Sequence, residues 1–371
     1  MTKHILYIIS HIDKALEFEW VAELIDKSKF QISFISINDN ADTALHRFCE
    51  QHQIPFYYVE YHGKKNILSA IKKTYLLLKE IKPQVVHAHL FEGGLIGITA
   101  AWLAKIKHRI YTRHYSNYHH KYAPSGVKFD KWINKKATHI VSITQMVSDI
   151  LIRQENVPAN KITLIHHGFP INHFLTCSEE RITNLKIKHQ IPFDKKIIGV
   201  ISRYTYWKGV QDIIPAFQKL YEKNKNLHLI LANANGDYKK EIHELLLQLP
   251  NDSYTEISFE QDNVALFYSF DVFVHCPIDE YSEAFGQIYI EALLCQIPSV
   301  FTKSGIGSEI AVDKETCLVV PHQNSEAISN AINQLLNDET LCNKLKENGL
   351  TIAKNFTIEN KVNSLENLYS I

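Results

Sequence analysis

The chain has 371 residues, which is more than one hydrophobic core usually holds, and this length predicts two domains. Hydrophobic residues make up 45% and charged residues 22%, a balance that excludes intrinsic disorder. The 40 basic and 40 acidic residues cancel, which argues against nucleic acid as a partner. The charge is uneven along the chain, however, because residues 1–171 hold 22 basic and 14 acidic side chains.

Short apolar runs alternate with helix-period segments through the first half of the chain. Alternation of this kind predicts a parallel sheet covered by helices on both faces. The predicted strands are residues 5–9, 32–37, 56–59, 85–89, 109–112, 139–143 and 162–165, and the clearest helices are residues 16–25, 65–81 and 95–106.

The alternation breaks between residues 166 and 194 and then starts again. Residues 325–371 follow as three helical segments without a strand between them. The prediction is an α/β protein of two Rossmann-like, doubly wound domains facing across a cleft, with C-terminal helices. The predicted division is a domain at 1–171, a linker at 172–194, a domain at 195–355 and a helix at 356–371 that covers the sheet or crosses back to the first domain. The strands predicted for the second domain are residues 197–201, 228–232, 256–259, 272–275, 299–302 and 318–320.

The segment at residues 283–291 reads Glu-Ala-Phe-Gly-Gln-Ile-Tyr-Ile-Glu and follows a predicted buried strand. Open α/β sheets bind ligands at that edge. Its carboxylates, Glu283 and Glu291, flank Phe285, Gly286 and Gln287. Gly286 at a helix start would let a phosphate approach backbone N–H groups and the positive end of the helix dipole. If Glu283 lies in the preceding loop, both carboxylates can face a sugar and a ribose; the alternative is an exposed helix with ordinary surface glutamates.

A second strand and loop place two cations, Arg203 and Lys208, close together in the sequence. Arginine offers phosphate a planar fork and lysine a mobile point charge, so the pair would stabilise a diphosphate leaving group. The alternative is two solvated surface charges. No two aspartates are separated by a single residue, so the chain lacks an Asp-x-Asp pair that would hold a metal-bound donor. We therefore expect no metal.

In their order and spacing these features resemble the retaining glycosyltransferases of the GT-B type, glycosyltransferase family 4, also called group 1. The resemblance covers nearly the whole chain. In the second half an Arg and a Lys-Gly pair precede the Glu-x-Phe-Gly motif, and a small-residue loop at 304–307 follows it; in the first half residues 82–89 and 112–114 match. It implies that Glu283 holds the donor sugar, Glu291 the ribose, and Arg203 and Lys208 the diphosphate.

Histidines are concentrated in residues 1–173, which contain 15 of the 20. His114 follows a predicted strand and falls at the family's active-site histidine, which faces the donor sugar. His87 and His89 alternate on one strand and are expected to be structural, because no third metal ligand stands at a suitable spacing. His166 and His167 occupy the position of the family's Pro-Asn-Gly, where a hinge turn is an equally good interpretation.

The chain also departs from the family pattern. Residues 10–16 replace the usual Gly-Gly pair after the first strand, and Ser202, Asn233 and Gln296 stand where glycine is common. Donor binding is thus better supported than acceptor chemistry. A non-catalytic subunit that binds a nucleotide sugar stays open as an alternative, as does a sugar-nucleotide epimerase or a glycoside phosphorylase of the same architecture.

The expected activity is metal-independent, retaining transfer of a sugar from a UDP- or GDP-sugar to a hydroxyl acceptor, in cell-surface glycan or lipid-linked oligosaccharide synthesis. No cofactor is expected. Aromatic and basic residues interleave in residues 111–136, and residues 64–82 are also basic. Such a face suits an anionic membrane that carries a lipid-linked acceptor; a soluble acceptor or a plain solvated face is the alternative.

The expected location is the cytoplasm, at the inner face of the membrane if the basic domain binds lipid. The six cysteines form no Cys-x-x-Cys pair, which favours reduced thiols over a disulfide framework. The apolar run near the N-terminus is short and lacks a cleavage site, so a signal peptide is not expected.

Overall fold

The computed structural model describes residues 2–370, which divide into two compact units. One unit comprises the chain up to Phe169 together with the residues from Thr357 onward, and the other comprises Pro170–Phe356. The chain therefore leaves the first unit once and returns to it. Residues 170–194, most of which were predicted to be a linker, belong to the second unit.

The first unit is built on one parallel sheet with helices between successive strands. Its elements up to Phe169 are β1 (Lys3–Ser10), α1 (Leu16–Leu24), β2 (Phe30–Asn38), α2 (Ala44–Gln51), β3 (Phe56–Glu60), α3 (Ile67–Ile81), β4 (Val85–His89), α4 (Phe91–Leu103), β5 (His108–Arg113), α5 (Tyr118–Lys121), α6 (Val127–Lys136), β6 (His139–Ser142), α7 (Gln145–Arg153) and β7 (Ile162–Leu164). The strand order is β3-β2-β1-β4-β5-β6-β7. The central strand β1 is buried along most of its length, as its continuous apolar run requires.

The second unit repeats the plan with a six-stranded parallel sheet. Its elements are α8 (Glu179–Lys188), β8 (Lys196–Ile201), α9 (Val210–Lys223), β9 (Leu227–Ala232), α10 (Lys239–Leu246), β10 (Tyr254–Ile257), α11 (Asn263–Tyr268), β11 (Val272–His275), α12 (Gln287–Leu294), β12 (Ser299–Phe301), α13 (Gly307–Ile310), β13 (Leu318–Val319), α14 (Ser325–Asn337) and α15 (Glu339–Ala353). The strand order is β10-β9-β8-β11-β12-β13.

The predicted fold class is confirmed, because both units are doubly wound parallel α/β structures. Every predicted strand is present, with each end within two residues of the prediction. Helix α4 begins at Phe91, four residues before the predicted start, since glycines near its N-terminus blurred the apolar period there. Across residues 2–370, none of the helices combines the length and apolarity needed to cross a bilayer.

The last helix, α16 (Ile358–Tyr369), packs into the core of the first unit. The Thr357 side chain caps it by accepting a hydrogen bond from the Asn360 N–H at 3.0 Å. Its apolar residues Val362 and Leu365 are buried beside strands β1 and β2. The first unit is therefore completed by residues that follow the whole second unit in the chain.

A buried chain of hydrogen bonds ties α16 to the centre of the sheet. The Tyr369 hydroxyl lies 2.6 Å from the Tyr7 hydroxyl and 2.6 Å from Nδ1 of His87. Nε2 of His87 lies 2.7 Å from the Thr112 hydroxyl. All of these groups are buried, so each depends on its protein partner rather than on water. The structure thus assigns His87 a packing and hydrogen-bonding role.

We expect Tyr369→Phe to lower the free energy of unfolding of the first unit by about 1–3 kcal/mol, because it leaves the buried His87 and Tyr7 polar atoms without their shared partner. Urea denaturation followed by circular dichroism measures the change. Tyr206→Phe, at a side chain that is 45% exposed, is the matched control. Equal stability of the two variants would contradict the role assigned to the buried chain.

Candidate active site

In the second unit, the order of strands reverses direction between β8 and β11. Ligands of open α/β sheets bind beside such a reversal, outside the carboxyl ends of the strands. The loop after β8 carries Arg203 and Lys208, and the segment after β11 carries Glu283. Parallel pairing therefore brings together side chains that are 75 residues apart in the sequence.

Lys208 and Glu283 form an ion pair across this reversal. His275 contacts the same carboxylate oxygen as Lys208, with its Nε2 3.0 Å from Oε1. The Glu283 backbone N–H donates to the Ser304 hydroxyl at 2.9 Å. Burial alone would raise the pKa of Glu283, but Lys208 and His275 outweigh it and lower that pKa to about 2. Glu283 is thus an ionised, buried acceptor at neutral pH.

His275 orients the Glu283 carboxylate through a hydrogen bond. An ionised carboxylate only accepts hydrogen bonds, so Nε2 of His275 carries the proton. Burial lowers the pKa of His275, which keeps the ring neutral. Its Nδ1 is buried without a hydrogen-bond partner among the described residues. A neutral donor and a cation therefore both contact Oε1 of the carboxylate and orient it.

Backbone contacts fix the loop that presents Lys208. Gly209 has a φ of +74°, a left-handed conformation that side chains disfavour. A Cβ there would lie 1.9 Å from the carbonyl oxygen of Cys276, at the end of β11. Only glycine lets these two segments touch, and that contact brings the preceding Lys208 within reach of Glu283.

The predicted 283–291 segment is a loop followed by a helix. Glu283 lies in the loop, and Gly286, with a φ of +81°, is the N-cap of α12. The Phe285 side chain is 3% exposed and packs edge-on against Phe356 at 6.3 Å between ring centroids, so it shapes the loop from inside. Gln287 is exposed at the start of α12, and Glu291 is half-buried one turn further on.

Glu291 differs electrostatically from Glu283. Burial raises the pKa of Glu291 to about 7, with no opposing contribution from a cation. The two carboxylates of the motif are therefore distinct: Glu283 stays ionised through its ion pair, whereas Glu291 is poised to exchange a proton near neutral pH.

Arg203 faces a different part of the same sheet edge. Its exposed side chain lines a pocket of about 450 Å³ beyond β9 and β10. Phe259, which is 72% exposed, forms another wall. The structure thus brings Lys208 to Glu283 and Arg203 to a neighbouring pocket. The other residues that line this pocket are Asn233, Asn235, Gly236 and Ser258.

His114 belongs to the first unit, at the end of β5. Its Nε2 lies 3.2 Å from Nδ1 of His89, and its ring stacks on His167 with 5.7 Å between centroids and 28° between planes. Burial, followed by the electrostatic effect of His167, lowers the pKa of His114 to about 3, although Glu17 acts in the opposite direction. The ring is therefore neutral at physiological pH.

Two residues of the second unit escaped the sequence analysis. His275 was included only as the end of a strand, and its position eight residues before Glu283 was the available signal. Phe259 was assigned to a strand that in fact ends at Ile257, so it reaches the pocket from a loop. Both residues were missed because their roles depend on tertiary contacts: the loop after β11 folds back onto His275, and Phe259 lines a pocket with residues that follow β8 and β9.

Models of known families match most of the chain. The one described as Glycosyl transferases group 1 matches residues 181–351, and the one described as Glycosyltransferase Family 4 matches residues 21–173. The chain belongs to this glycosyltransferase family. The match favours a glycosyltransferase over the epimerase and phosphorylase alternatives.

Individual relatives agree with the assignment to this family. The capsular polysaccharide biosynthesis glycosyltransferase CapM of Staphylococcus aureus is 26% identical over 314 residues, which cover 82% of this chain and 80% of CapM. The alpha-monoglucosyldiacylglycerol synthase of Acholeplasma laidlawii is 24% identical over 319 residues, 81% of this chain and 78% of that one. Among solved structures, Anabaena HepE in complex with UDP and glucose has a TM-score of 0.85 at 22% identity, and 100% of each chain is covered.

At some positions where the family commonly has glycine, this chain keeps a glycine-like backbone conformation with another residue. Asn233 and Gln296 take left-handed backbone conformations with φ of 60° and 56°, as glycine would. After β1, the Ser10 hydroxyl accepts a hydrogen bond from the Gly93 N–H at 3.0 Å, which caps the first turn of α4. His11 follows with a φ of 50° and packs against Tyr61. The unusual loop is therefore held by its own contacts.

If Glu291 meets the ribose, as the family resemblance implies, we expect the affinity for UDP to rise as the pH increases through about 7, because the ionised carboxylate would accept stronger hydrogen bonds from the hydroxyls. Calorimetric titration with UDP between pH 6 and pH 8 measures the effect. Glu291→Gln should bind more weakly, by roughly 1.5–3 kcal/mol. It should also lose this pH dependence and keep only the part due to the ionisation of UDP itself. The same pH slope in both proteins would show that Glu291 does not meet the nucleotide.

Proposed function

We propose that this protein is a metal-independent, retaining glycosyltransferase that moves a sugar from a nucleoside diphosphate donor to a hydroxyl acceptor. The observation that carries the proposal is the Lys208–Glu283 pair at the reversal of the second sheet. It offers a cation for a diphosphate and, beside it, an ionised acceptor for sugar hydroxyls. The solved complex of HepE with UDP and glucose supports a UDP-sugar as the donor.

The roles of the two charges follow from their chemistry. A lysine ammonium has three donor hydrogens, so Lys208 can contact a phosphate oxygen while it stays paired with Glu283. The carboxylate of Glu283 then orients hydroxyls of the transferred sugar. Arg203 adds a second cation at the diphosphate, and Phe259 offers a flat face for the base in the adjoining pocket.

The reaction needs no covalent enzyme intermediate. The bond between the anomeric carbon and the diphosphate oxygen breaks, and the acceptor oxygen bonds to the same face of the sugar. The acceptor proton passes to an oxygen of the departing diphosphate. Lys208 and Arg203 stabilise the charge that develops there. His114, neutral in the first unit, helps to orient the sugar without opposing the positive charge at the anomeric carbon.

The surface of the first unit suits an acceptor used in cell-surface glycan or lipid-linked oligosaccharide synthesis. An exposed aromatic and basic face, formed by α4 and α6 of the first unit, supports peripheral contact with an anionic membrane. Trp102 and Trp132 pack edge-on at 5.7 Å, and Nζ of Lys136 lies 3.4 Å above the Trp102 ring. Lys131 and Lys135 are exposed on the same helix as Trp132. The names of CapM, a capsular polysaccharide glycosyltransferase, and of the alpha-monoglucosyldiacylglycerol synthase support a glycan or lipid acceptor.

The rival proposal, a binding subunit without turnover, comes from the altered loop after β1. It predicts UDP binding without release of UDP from a UDP-sugar. The family's transfer chemistry predicts that a suitable acceptor stimulates such release. One assay therefore separates the two.

We expect UDP release from UDP-glucose or a related UDP-sugar when a membrane-lipid extract or a soluble glycan fraction is added, and we expect it to persist in excess EDTA. The product should keep the anomeric configuration of the donor, as seen by NMR. Lys208→Ala should lower turnover about 10²- to 10³-fold, because it removes a cation from the leaving group. The exposed Lys219→Ala is the control.

Three outcomes would count against parts of this proposal. Loss of turnover in EDTA with recovery in Mg²⁺ would overturn metal independence. Near-normal turnover of Lys208→Ala would overturn the diphosphate site. UDP binding without release for any donor and acceptor would favour the binding subunit.

We expect the protein to bind phosphatidylglycerol vesicles, through the α4 and α6 face of its first unit, more tightly than phosphatidylcholine vesicles in a flotation assay at low salt. Each lysine near an anionic surface contributes about 1 kcal/mol, so Lys131→Ala with Lys135→Ala should weaken binding by about 2 kcal/mol. Lys186→Ala removes a comparable lysine, stacked on the exposed Phe193 of the second unit, and should change nothing. Equal effects of the two sets of changes would exclude this face as the contact.

A further inference from the structure

Three charged or titratable side chains meet inside the first unit, outside the residues that the proposed reaction uses. Glu17 comes from α1, His167 from the segment after β7, and Lys361 from α16. Oε1 of Glu17 accepts from Nδ1 of His167 at 2.5 Å, from the Gly168 N–H at 3.3 Å and from Nζ of Lys361. The three side chains are only 7–11% exposed. This is a buried cluster in which Oε1 of Glu17 has three partners.

The charges of the cluster balance. Burial would raise the pKa of Glu17, but His167 and Lys361 outweigh it and hold that pKa below its ordinary range. Burial lowers the pKa of Lys361, and Glu17 counters this effect. Glu17 and Lys361 thus form an internal ion pair, and His167 donates to Glu17 as a neutral ring. An ion pair this well buried depends on both partners being present.

The cluster forms one wall of the His114 environment. The rings of His167 and His114 stack, Phe18 of α1 meets His114 at 6.5 Å and 88°, and His89 contacts its Nε2. The His114 ring is therefore contacted by three neighbours: it stacks on His167, packs at right angles to Phe18 and has its Nε2 next to His89. Lys361, from a helix more than 240 residues further along the chain, acts on this ring through Glu17 and His167.

We propose that Lys361 is a positioning residue for His114: by pairing with Glu17 it keeps the stacked rings of His167 and His114 neutral and in place. Without Lys361 the Glu17 carboxylate would face two histidines alone and attract a proton to them. This inference rests on the proposed function in one respect, the role of His114 beside the donor sugar. A protonated ring there would oppose the positive charge that develops at the anomeric carbon.

The direction of the electrostatics supports the proposal. Burial is the largest cause that lowers the pKa of both His114 and His167, and His167 lowers that of His114 further; Glu17 then raises and Lys361 lowers the pKa of both rings. The other titratable groups that bear on the two rings are His166, next to His167 in the chain, and His89. Neither supplies a negative charge. Glu17 and Lys361 thus act in opposite directions on a pair that burial already keeps neutral, and removal of Lys361 alone shifts that balance toward protonation.

The test is a set of charge changes in the full-length protein, read by NMR of labelled histidines. In Lys361→Met we expect one proton to titrate on the stacked pair between pH 5.5 and pH 8, whereas in the wild type neither ring titrates there. The double change Glu17→Gln with Lys361→Met removes both charges and should abolish the new titration. The wild-type spectrum is assigned with His167→Phe, which keeps a stacking ring but cannot titrate.

Turnover provides a second readout. Lys361→Met should gain an acid limb in its pH profile, with kcat falling about tenfold per pH unit below the new pKa. Glu17→Gln with Lys361→Met should restore the wild-type profile, which simple loss of packing would not do. Lys354→Met, at an exposed lysine, is the control. The double variant also leaves no unpaired buried charge, so it guards against misfolding of the single variant.

The outcomes separate this inference from the proposed function. No new histidine titration in Lys361→Met, or a titration that persists in the double variant, overturns the inference whatever the activity. A new titration without an acid limb, together with normal turnover of His114→Ala, leaves the cluster as described and overturns the role of His114 in catalysis.

Discussion

The ion pair between Lys208 and Glu283 is the interaction on which the second unit's site depends. It joins the segments that follow β8 and β11, the two strands between which the sheet reverses its order. A buried pair of this kind adds little net stability, but removal of one partner leaves an uncompensated charge. Its value is geometric, because it holds a cation and an acceptor side by side before any ligand arrives. Gly209 makes the arrangement possible, since no side chain fits against the Cys276 carbonyl oxygen.

The first unit also holds a candidate functional side chain in place through buried charges, but there the charges cancel. Its functional candidate, His114, is neutral, so the surrounding charges must cancel rather than attract. Glu17 and Lys361 cancel each other, and His167 transmits their position to the His114 ring by stacking. Nearby, Tyr369 satisfies Tyr7 and His87. Helix α16 thus supplies both a charge and a hydrogen-bonding group to the centre of a sheet that was otherwise complete many residues earlier.

The interior strands could be predicted because they are short apolar runs that are buried along most of their length. The loop position of Glu283 was one of two possibilities that the sequence left open, and the structure has Glu283 in the loop before α12. What the sequence could not reveal depends on contacts between distant segments. His275 matters because Glu283 folds back over it, Phe259 because β10 ends at Ile257, and Lys361 because α16 returns to the first unit. Only the eight-residue spacing of His275 and Glu283 is local, because the period of a strand or helix reports which face is buried and not what covers it.

The return of α16 has a consequence for biosynthesis. On a ribosome the N-terminal sheet emerges first, yet Tyr369, the partner of Tyr7 and His87, and Lys361, the cation beside Glu17, are made only after the entire second unit. Domains commonly fold as they are synthesised, N-terminal first. Here the nascent first unit must wait with buried polar groups unmatched, while the second unit has all its strands available earlier. The second unit should therefore complete its folding before the first unit, in the reverse of their order of translation. During that delay the N-terminal half is the part of the chain that would expose unsatisfied groups to chaperones.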